Sequence, residues 1–308
     1  MNPIISIIIV SYNTADITIN CIKSILADKG LKQNPFEIIV VDNNSHDNSV
    51  AKIKKFKDKL KNKNGTLNLI VNKDNRGFGG ANNQGLKIAK GNYILFLNSD
   101  TIVLHSAISQ SLDWISSHPE ASTCTAQLLN KDKTIQASGG FFPNLANMFT
   151  WCFSLDDLPL VNKIIKPIHP HTPEFYTKDI FFTKDHQQHW VTGAFLLTRK
   201  PILDKVHGFD ENYFMYGEEL ELSYRIYQNT KQNQVWYLVG PQIIHLGGAS
   251  AVNRMDPILN EYRGFISFFK KHRPTWQLPI VRSLLKINAF IRFIIKRSPM
   301  YLEICSKI

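Results

Sequence analysis

The densest group of acidic side chains lies in the segment GFDENYFMYGEELELSYR, residues 208–225. Glu218, Glu219 and Glu221 fall at the predicted start of a helix, where carboxylates stabilise the helix dipole. Acidic and aromatic residues at 210–216 come directly before them. A carboxylate framed by aromatic rings is also typical of a sugar-hydroxyl site, with a general base whose pKa is raised toward neutrality. The segment therefore indicates either a helix terminus alone or a base that accepts a hydroxyl proton.

Polar residues follow four apolar runs that indicate buried strands. The four polar ends are SYN at 11–13, DNNS at 42–45, NKDNRG at 72–77 and NSD at 98–100. Helical patterns separate the runs, which predicts a parallel sheet covered on both faces. Ligands of such sheets bind at the carboxyl ends of the strands. The sequence therefore predicts an α/β fold in which these four ends line one crevice.

The second and third ends carry groups that suit a nucleotide. Asp42, Asn43 and Asn44 can accept from a ribose hydroxyl or read a base, although Asx turns that cap helices use the same residue types. Arg76 lies in a glycine-rich turn before a helix, and both the guanidinium and a helix N-terminus favour anions. The turn is not the dinucleotide fingerprint, because Asn82 stands where that pattern requires glycine.

The fourth end provides a carboxylate for a hard cation. Asp100 is the kind of ligand that Mg²⁺ or Mn²⁺ takes together with phosphate oxygens and water. A helix predicted from about Ser106 offers the alternative that Asp100 is a helix cap. His245 ends a later strand before glycines, and a lone histidine is more often structural than a ligand.

The order of the motifs is more specific than any one of them. SYN, VVDNNS, NRGFGGANNQG, FLNSD, VTGAFLL, GFDENYFMYGEELELSYR and HLGG together resemble glycosyltransferase family 2, closest to the rhamnosyltransferase-like branch of bacterial cell-surface polysaccharide enzymes. The similarity covers roughly residues 4–270. It implies a GT-A fold, with a mostly parallel central sheet flanked by helices and with C-terminal helices. It also implies an inverting transfer of a sugar such as rhamnose from a nucleotide-diphosphate donor to a glycan or polyprenyl-diphosphate-linked acceptor, with Mg²⁺ or Mn²⁺ as cofactor.

The resemblance assigns site residues by motif. Donor-binding positions are Ser11, Tyr12, Asn13, Asp42, Asn44, Arg76, Gly77, Asn82, Asn98 and Ser99. Acceptor-binding positions are Trp190, Thr192, Gly193 and Tyr216. The metal ligands are Asp100 and His245, and the catalytic pair is Glu219, as the base, with Glu218.

Two residues depart from the family pattern. Asn98 replaces the first aspartate of the metal motif, which removes a negative charge and predicts weak metal affinity without the donor. Glu219 replaces the usual aspartate, so its carboxylate extends about one bond further. Because proton abstraction depends on reach before pKa, Glu218 stays an alternative base.

The composition is that of a globular protein with an uneven charge. The chain has 308 residues, 44% hydrophobic and 20% charged, and a formal net charge of +11. The four cysteines lack metal-binding spacing, which favours a reducing, cytoplasmic compartment. No apolar run reaches the roughly 18 residues that a membrane span needs. We predict a catalytic domain at 1–273, divided into a nucleotide-sugar half at 1–105 and an acceptor half at 106–273, and a basic amphipathic tail at 274–308.

Two other function classes remain open on these grounds. Residues 270–308 carry a net +8 and residues 51–63 carry +6, so the remainder is slightly acidic. A nucleic-acid-binding module is suggested by the basic pI alone and has no recognisable binding motif. A nucleotidyl- or phosphosugar-processing enzyme would share the sheet but would not need a base in the acidic segment.

The last predicted helix, 280–297, is amphipathic. Its apolar side is Ile280, Leu284, Ile287, Phe290, Ile291, Ile294 and Ile295, and lysines and arginines lie opposite. Such a helix binds the interface of an anionic bilayer, or it packs its apolar side on the catalytic body. The first alternative predicts a protein held peripherally on the inner face of the cell membrane.

Overall fold

The computed structural model describes residues 3–59, 65–173, 175, 180–230, 234–247 and 255–308. Its strands are β1 (Ile5–Ser11), β2 (Phe36–Asp42), β3 (Gly65–Val71), β4 (Tyr93–Leu97), β5 (Thr101–Val103), β6 (Thr123–Leu129), β7 (Ile135–Gln136), β8 (His186–Gln188), β9 (Phe195–Arg199) and β10 (Val235–His245). Its helices are α1 (Ala15–Ala27), α2 (Ser49–Lys59), α3 (Gly77–Ile88), α4 (Ala107–Ser117), α5 (Leu145–Cys152), α6 (Pro159–Ile164), α7 (Lys200–Val206), α8 (Glu218–Thr230), α9 (Met255–His272), α10 (Gln277–Lys296) and α11 (Met300–Lys307).

The described strands form one mixed sheet. Its order is β3–β2–β1–β4–β9–β6–β10–β5, with β7 beside β6 and β8 beside β10. Strands β3, β2, β1 and β4 run parallel to one another, and so do β6 and β10. Strand β9 runs antiparallel to both of its neighbours, and β5 runs antiparallel to β10. The predicted α/β fold with a mostly parallel central sheet is confirmed.

Alternate side chains of the central strands enter cores on opposite faces of the sheet. In β1, Ile7 packs in the core that contains α1 and α4, whereas Ile8 packs in the core that contains α3. Because both faces of the strand are buried, its residues do not alternate between apolar and polar side chains. The parallel register sets Ser11 opposite Asp42 and Asp42 opposite Val71, so these strand ends lie level along one edge.

One predicted strand is shorter than its apolar pattern. The run HWVTGAFLLT predicts a continuous strand, but β9 begins only at Phe195. The preceding backbone bonds elsewhere, because the Gly193 N–H donates to the Glu219 carboxylate and Trp190 pairs with Gly140. The prediction of a strand over 190–194 is therefore wrong.

The apolar spacing over residues 45–63 predicts a helix, but the observed helix begins several residues after residue 45. Helix α2 starts at Ser49, whose N–H donates to Asp47 Oδ1 at 2.9 Å. This is an Asx turn, a local alternative to helical hydrogen bonds that aspartate favours. Residues 60–63 of the predicted helix lie outside the described residues.

The C-terminal helices share a core with the catalytic body. Helices α9, α10 and α11 pack with α5 and with Trp190. The buried positions of α10 are Val281, Leu285, Asn288 and Ala289. Five apolar residues of the predicted side are exposed, namely Ile280, Ile287, Phe290, Ile294 and Ile295, and Leu284 of that side packs partly against the core. A different side of the helix from the predicted one therefore packs on the body. No helix in the described ranges is long and apolar enough to span a bilayer.

The buried carboxylate of Glu221 ties α8 to α9. It accepts from Arg225 one turn away, and from Lys271 and His272 at the end of α9. Burial alone would raise the pKa of Glu221, but His272, Arg225 and Lys271 together hold it below its ordinary value. Lys271 also pairs with Asp210, in the loop before α8, at 2.6 Å. This cluster fixes the start of α8 against α9.

Replacing Glu221 with alanine is expected to lower the free energy of unfolding by about 3 kcal/mol, because it leaves partly buried cations without their shared anion. Glu303→Ala is the matched control, since Glu303 is exposed and pairs with Lys307 four residues away. The control is expected to cost less than about 1 kcal/mol. Urea denaturation at neutral pH compares them, and equal losses would contradict the role of Glu221.

The same pair of proteins gives a pH test of the Glu221 cluster. Because the pKa of Glu221 is lowered by folding, its contribution is complete above the unfolded value of about 4.3 and is lost as pH falls through the folded value. The difference in unfolding free energy between wild type and Glu221→Ala should therefore narrow below about pH 4.3. A difference that widens on acidification would oppose this assignment.

Candidate active site

A cavity of about 690 Å³ opens at the carboxyl ends of β1 and β4. The glycine-rich turn before α3, the first turn of α8 and the first half of α9 complete its wall. The sequence-predicted residues that line it are Tyr12, Gly77, Asn98, Ser99, Asp100, Trp190, Thr192, Tyr216, Glu218, Glu219 and His245. Candidates for donor, acceptor, metal and base thus share one cavity.

The side chain of Asn43 joins the end of β2 to the glycine-rich turn. Its amide nitrogen donates to Asn75 Oδ1 at 2.8 Å and to the Gly77 carbonyl at 3.1 Å. Its oxygen accepts from the Asn72 amide and from the Arg76 N–H, each at 3.0 Å. This buried amide is fully hydrogen-bonded, and it shapes the wall that Asn75 and Gly77 line.

Asp42 is buried at the end of β2, beside Asn43. Its Oδ1 accepts from the Ser45 N–H at 2.9 Å. Its Oδ2 is buried and has no hydrogen-bond partner within the described part of the chain. Because an unpaired buried acceptor costs about 1–3 kcal/mol, a ligand that donates to Oδ2 would recover free energy on binding.

Other predicted site residues lie outside the cavity lining. They are Ser11, Asn13, Asp42, Asn44, Arg76, Asn82 and Gly193. The Ser11 hydroxyl contacts Thr18 Oγ1 at 2.9 Å, and the Asn82 amide donates to the Phe78 carbonyl of its own helix. Arg76 is about half exposed and lies 3.6 Å from Asp74. Ser11 and Asn82 thus make contacts within the fold, whereas Arg76 lies beside the cavity, next to Gly77.

Asp100 and His245 lie side by side in the cavity wall, with Oδ1 3.3 Å from Nε2. The amide nitrogen of Asn98 lies 3.2 Å from the same Nε2. The other ring nitrogen, Nδ1, lies 2.6 Å from Gln136 Oε1. Strand β10 brings His245 here because its antiparallel pairing with β5 sets His245 opposite Thr101.

This pair fits a hard divalent cation that has few protein ligands. A carboxylate oxygen and an imidazole nitrogen converge on one point, and Asp100 is 8% exposed. The described residues contain no group of three or more His, Cys, Asp or Glu that could hold a metal. Two protein ligands suit Mg²⁺ or Mn²⁺ when phosphate oxygens and water complete the coordination.

Glu218 and Glu219 begin α8 and line the same cavity. Burial raises the pKa of Glu218 well above its ordinary value, and the neighbouring Glu219 carboxylate raises it further. Burial also raises the pKa of Glu219, although the Gly193 N–H that donates to its Oε1 at 2.8 Å opposes the shift. Glu218 Oε2 has no hydrogen-bond partner among the described residues. Together the two groups take up a proton more readily than ordinary glutamates.

The turn before α8 has an unusual backbone. Tyr216 has φ 71° and Gly217 has φ 95°, both in the left-handed region. A non-glycine residue held there costs about 1–3 kcal/mol, which the surrounding structure must offset. Gly264 of α9 allows the close approach, because a Cβ at that position would meet the Tyr216 carbonyl at 2.7 Å. Packing of α9 against this turn therefore directs the first turn of α8 into the cavity.

The far wall of the cavity combines an aromatic ring with acidic groups. Trp190 is buried, and its Nε1 has no hydrogen-bond partner in the described ranges. His169 Nε2 lies 3.2 Å from Glu261 Oε1 on α9. The carboxylates of the lining are Asp100, Glu218, Glu219 and Glu261, and no lysine or arginine occurs among its described residues. The cavity is therefore acidic although the chain carries +11.

Comparison with known sequences decides the family. Residues 6–206 match the family described as Glycosyl transferase family 2. The chain belongs to glycosyltransferase family 2. This match confirms the family that the order of the motifs predicts.

Three relatives of this glycosyltransferase match parts of it. A poly(ribitol-phosphate) beta-glucosyltransferase of Bacillus spizizenii is 37% identical over 105 residues, 34% of this chain and 16% of that protein. A UDP-Glc:alpha-D-GlcNAc-diphosphoundecaprenol beta-1,3-glucosyltransferase of Escherichia coli is 32% identical over 132 residues, 43% of this chain and 49% of that protein. A rhamnosyltransferase of Escherichia coli K12 is 29% identical over 158 residues, 49% of this chain and 54% of that protein. The matched regions thus span 16–54% of these relatives.

Solved structures confirm the GT-A fold of this glycosyltransferase. A mannosyltransferase from Pyrobaculum calidifontis, solved in complex with GDP-Man and Mn²⁺, has a TM-score of 0.56 at 12% identity, over 99% of this chain and 74% of that chain. Residues 1–349 of TarS from S. aureus have a TM-score of 0.54 at 14% identity, over 92% of this chain and 80% of that chain. Likeness at such identities shows the fold.

Sequence reasoning missed several residues that build the site of this glycosyltransferase. The sequence predicts that Asn43 can contact a nucleotide, whereas its side chain joins two loops of the fold, and Gln136, His169 and Glu261 are not predicted as site residues. Gln136 and His169 lie in the irregular middle of the chain, where no periodic pattern indicates their neighbours. Their contacts with residues far along the chain arise only from the sheet order.

Replacing Asn43 with alanine removes four hydrogen bonds and is expected to lower the free energy of unfolding by about 2–3 kcal/mol. Asn44→Gly is the matched control, because Asn44 has φ 72°, a conformation that glycine adopts without strain. The control should change stability by less than about 1 kcal/mol. Urea denaturation measures both changes. An Asn43→Ala protein as stable as wild type would show that the amide does not hold the turn.

Proposed function

We propose that this member of glycosyltransferase family 2 is an inverting enzyme of cell-surface polysaccharide synthesis. It moves a sugar from a nucleotide-diphosphate donor to a hydroxyl group of a glycan acceptor. The observation that carries this proposal is one acidic cavity lined both by the Asp100–His245 pair and by the Glu218–Glu219 pair. The first pair suits a diphosphate with its cation, and the second suits removal of a proton from a hydroxyl group.

The ends of β1 and β2 and the glycine-rich turn form the proposed donor side. Tyr12 and Gly77 line the cavity here, and Asp42, whose buried Oδ2 has no hydrogen-bond partner among the described residues, adjoins the lining residue Asn43. Arg76 is proposed to reach the diphosphate from its exposed position beside Gly77. Ser11 and Asn82 support the donor side indirectly, through their contacts within the fold.

Asp100 and His245 are the proposed holders of Mg²⁺ or Mn²⁺. The mannosyltransferase of similar fold was solved with Mn²⁺, which supports this choice of cation. When bound, the cation offsets the negative charge that develops on the leaving diphosphate. The described lining contributes no lysine or arginine for this task, and Asn98 adds no charge. Binding of the cation should therefore depend strongly on the donor.

Glu219 is the proposed base. The Gly193 N–H fixes its Oε1 at 2.8 Å, so the carboxylate is oriented toward the cavity by the loop that also carries Thr192. Burial and the Glu219 carboxylate raise the pKa of Glu218 well above its ordinary value, whereas the Gly193 N–H stabilises the ionised form of Glu219. We infer that Glu219 takes the acceptor proton while Glu218 stays neutral beside it.

The acceptor is proposed to be a neutral sugar at its reacting end. Trp190 lies in the cavity wall with its Nε1 lacking a hydrogen-bond partner among the described residues, and His169, whose ring contacts that of Trp190, pairs with Glu261. Such a wall suits sugar hydroxyls, whereas its negative charge disfavours a phosphate at the reacting end. The relative that acts on a diphosphoundecaprenol-linked sugar supports a lipid-linked glycan. Rhamnose, from motif order, and glucose, from two relatives, are the donor sugars to screen first.

The base assignment is tested by Glu219→Gln, which is expected to lower the rate of sugar transfer by about 10²–10⁴-fold. Transfer is measured with the nucleotide sugar that the wild type consumes in a Mn²⁺-containing donor screen. Glu120→Gln is the matched control, because Glu120 is exposed and does not line the cavity. Wild-type transfer by Glu219→Gln at saturating donor would reject the assignment.

The pH profile separates the two glutamates. The base must be ionised and its pKa is raised, so transfer should rise with pH through a value above that of an ordinary glutamate. Because Glu218 is neutral in this proposal, Glu218→Gln removes no negative charge and should leave both transfer and the pH of this rise nearly unchanged. If Glu218 were the base, Glu218→Gln would lose transfer and Glu219→Gln would shift the rise instead.

The outer face of α10 is proposed to lie on an anionic membrane, with the active site on the cytoplasmic side. Ile287, Phe290 and Ile294 are 43%, 49% and 58% exposed at helical spacing, so they form one apolar stripe. The exposed Lys286 and Arg297 flank it. Large apolar residues beside basic ones are complementary to an anionic bilayer interface, and a lipid-linked acceptor would be held there.

This membrane proposal is tested by flotation with phosphatidylglycerol-containing vesicles. The triple variant Ile287→Ser, Phe290→Ser, Ile294→Ser should reduce binding at least tenfold, because each apolar side chain contributes about 1.5–3 kcal/mol when buried. The control is Val71→Ser, Ile88→Ser, which removes equally exposed apolar groups from the body. Binding should weaken with added salt and with uncharged vesicles. Unchanged flotation of the triple variant, or a change only in its oligomeric state, would reject the proposal.

A further inference from the structure

Gln136 contacts His245 at two points. Its Oε1 lies 2.6 Å from His245 Nδ1, and its Nε2 donates to the His245 carbonyl at 3.4 Å. Gln136 forms the end of β7, a two-residue strand paired with β6. It lies 109 residues from His245 in the chain, so only the fold brings them together.

A directed chain of hydrogen bonds fixes which atom of Gln136 faces the imidazole. The Asp132 carboxylate can only accept, so the Thr134 hydroxyl donates to it, at 2.6 Å. Thr134 Oγ1 then accepts from the Asn130 amide nitrogen at 2.9 Å, which leaves Asn130 Oδ1 to accept from Gln136 Nε2, also at 2.9 Å. The amide oxygen of Gln136 is therefore the atom that faces Nδ1.

The direction of this chain determines the imidazole tautomer. Because an amide oxygen only accepts, Nδ1 must carry a proton, and in the neutral ring the lone pair is then on Nε2. That nitrogen faces Asp100 Oδ1 at 3.3 Å and the Asn98 amide at 3.2 Å. Hydrogen bonds from Thr134 hold the pKa of Asp132 below its ordinary value, so this series of hydrogen bonds ends on a charged carboxylate at neutral pH.

We propose that Gln136 is a positioning residue that holds His245 with Nδ1 protonated and with the Nε2 lone pair directed at the position beside Asp100. The hairpin between β6 and β7 then has a specific role, since its turn orients Gln136. This inference rests on the proposed metal site. A ligand histidine that loses the acceptor on its other nitrogen typically binds metal about 10–100-fold more weakly.

Gln136→Met keeps the length of the side chain and removes the acceptor. We expect this variant to bind Mn²⁺, supplied together with UDP or GDP and measured by electron paramagnetic resonance, about 10–100-fold more weakly than wild type. Gln187→Met is the matched control, because Gln187 is exposed on the short strand β8 and does not line the cavity. It should bind Mn²⁺ as wild type does.

The tautomer is measured directly by NMR of protein labelled with ¹⁵N in histidine, with His245→Asn to assign the signal. The metal-free wild type should show His245 with a protonated Nδ1, and Gln136→Met should lose that preference. Thr134→Val removes the hydrogen bond between Asn130 and Thr134 and should cause a partial loss of the tautomer preference. This variant keeps the test valid if Gln136→Met does not fold. Thermal unfolding of every variant separates a local effect from a general loss of structure.

The outcomes distinguish this inference from the proposed function. A wild-type His245 protonated on Nε2, or a Gln136→Met protein with unchanged tautomer and Mn²⁺ affinity, would overturn the role of Gln136. Absence of Mn²⁺ binding by the wild type in the presence of UDP or GDP would overturn the proposed metal site, and the NMR result would still decide whether Gln136 orients His245.

Discussion

The active site depends on how α8 is held against α9, and a buried ionic cluster provides that constraint. Glu221 has no exposed side-chain surface and is shared by cations from both helices. A buried carboxylate needs such partners, because burial alone disfavours its charged form. Earlier on α8, Glu218 is buried and Glu219 half-buried, no such cation pairs with them among the described residues, and burial raises their pKa values. The same helix thus carries an ionised structural carboxylate and the pair proposed to act in proton transfer.

Side-chain amides do much of the positioning elsewhere in the site. Asn43 joins two loops through four hydrogen bonds, and Gln136 connects a hairpin turn to His245. An amide both donates and accepts, so it can link two backbone segments without adding charge. This matters in a cavity whose described lining already contains four carboxylates. Further charged residues there would alter the pKa values of Glu218 and Glu219, on which the proposed proton transfer depends.

The chain separates its charge in space. Basic residues lie on α2 and on the C-terminal helices, whereas the described cavity lining is acidic. The positive net charge of the chain therefore affects what the outer surface of the enzyme attracts, and the negative charge of the cavity lining affects the chemistry inside the cavity. Helix α10 also has two distinct sides, because Val281, Leu285 and Ala289 face the core whereas Ile287 and Phe290 face outward. A helical wheel alone identifies an apolar side but not which side finds a partner.

The sequence by itself determined the α/β class, the family and eleven of the residues that line the cavity, because each strand end carries polar groups at fixed positions and parallel pairing brings such ends together. The pattern of Trp190 to Gly193 predicts a strand. In the structure Trp190 pairs with Gly140 instead, and the Gly193 N–H donates to the Glu219 carboxylate. Only the tertiary structure decided that Gln136 meets His245 and which side of α10 is buried. These outcomes depend on partners far along the chain, and local patterns carry no information about them.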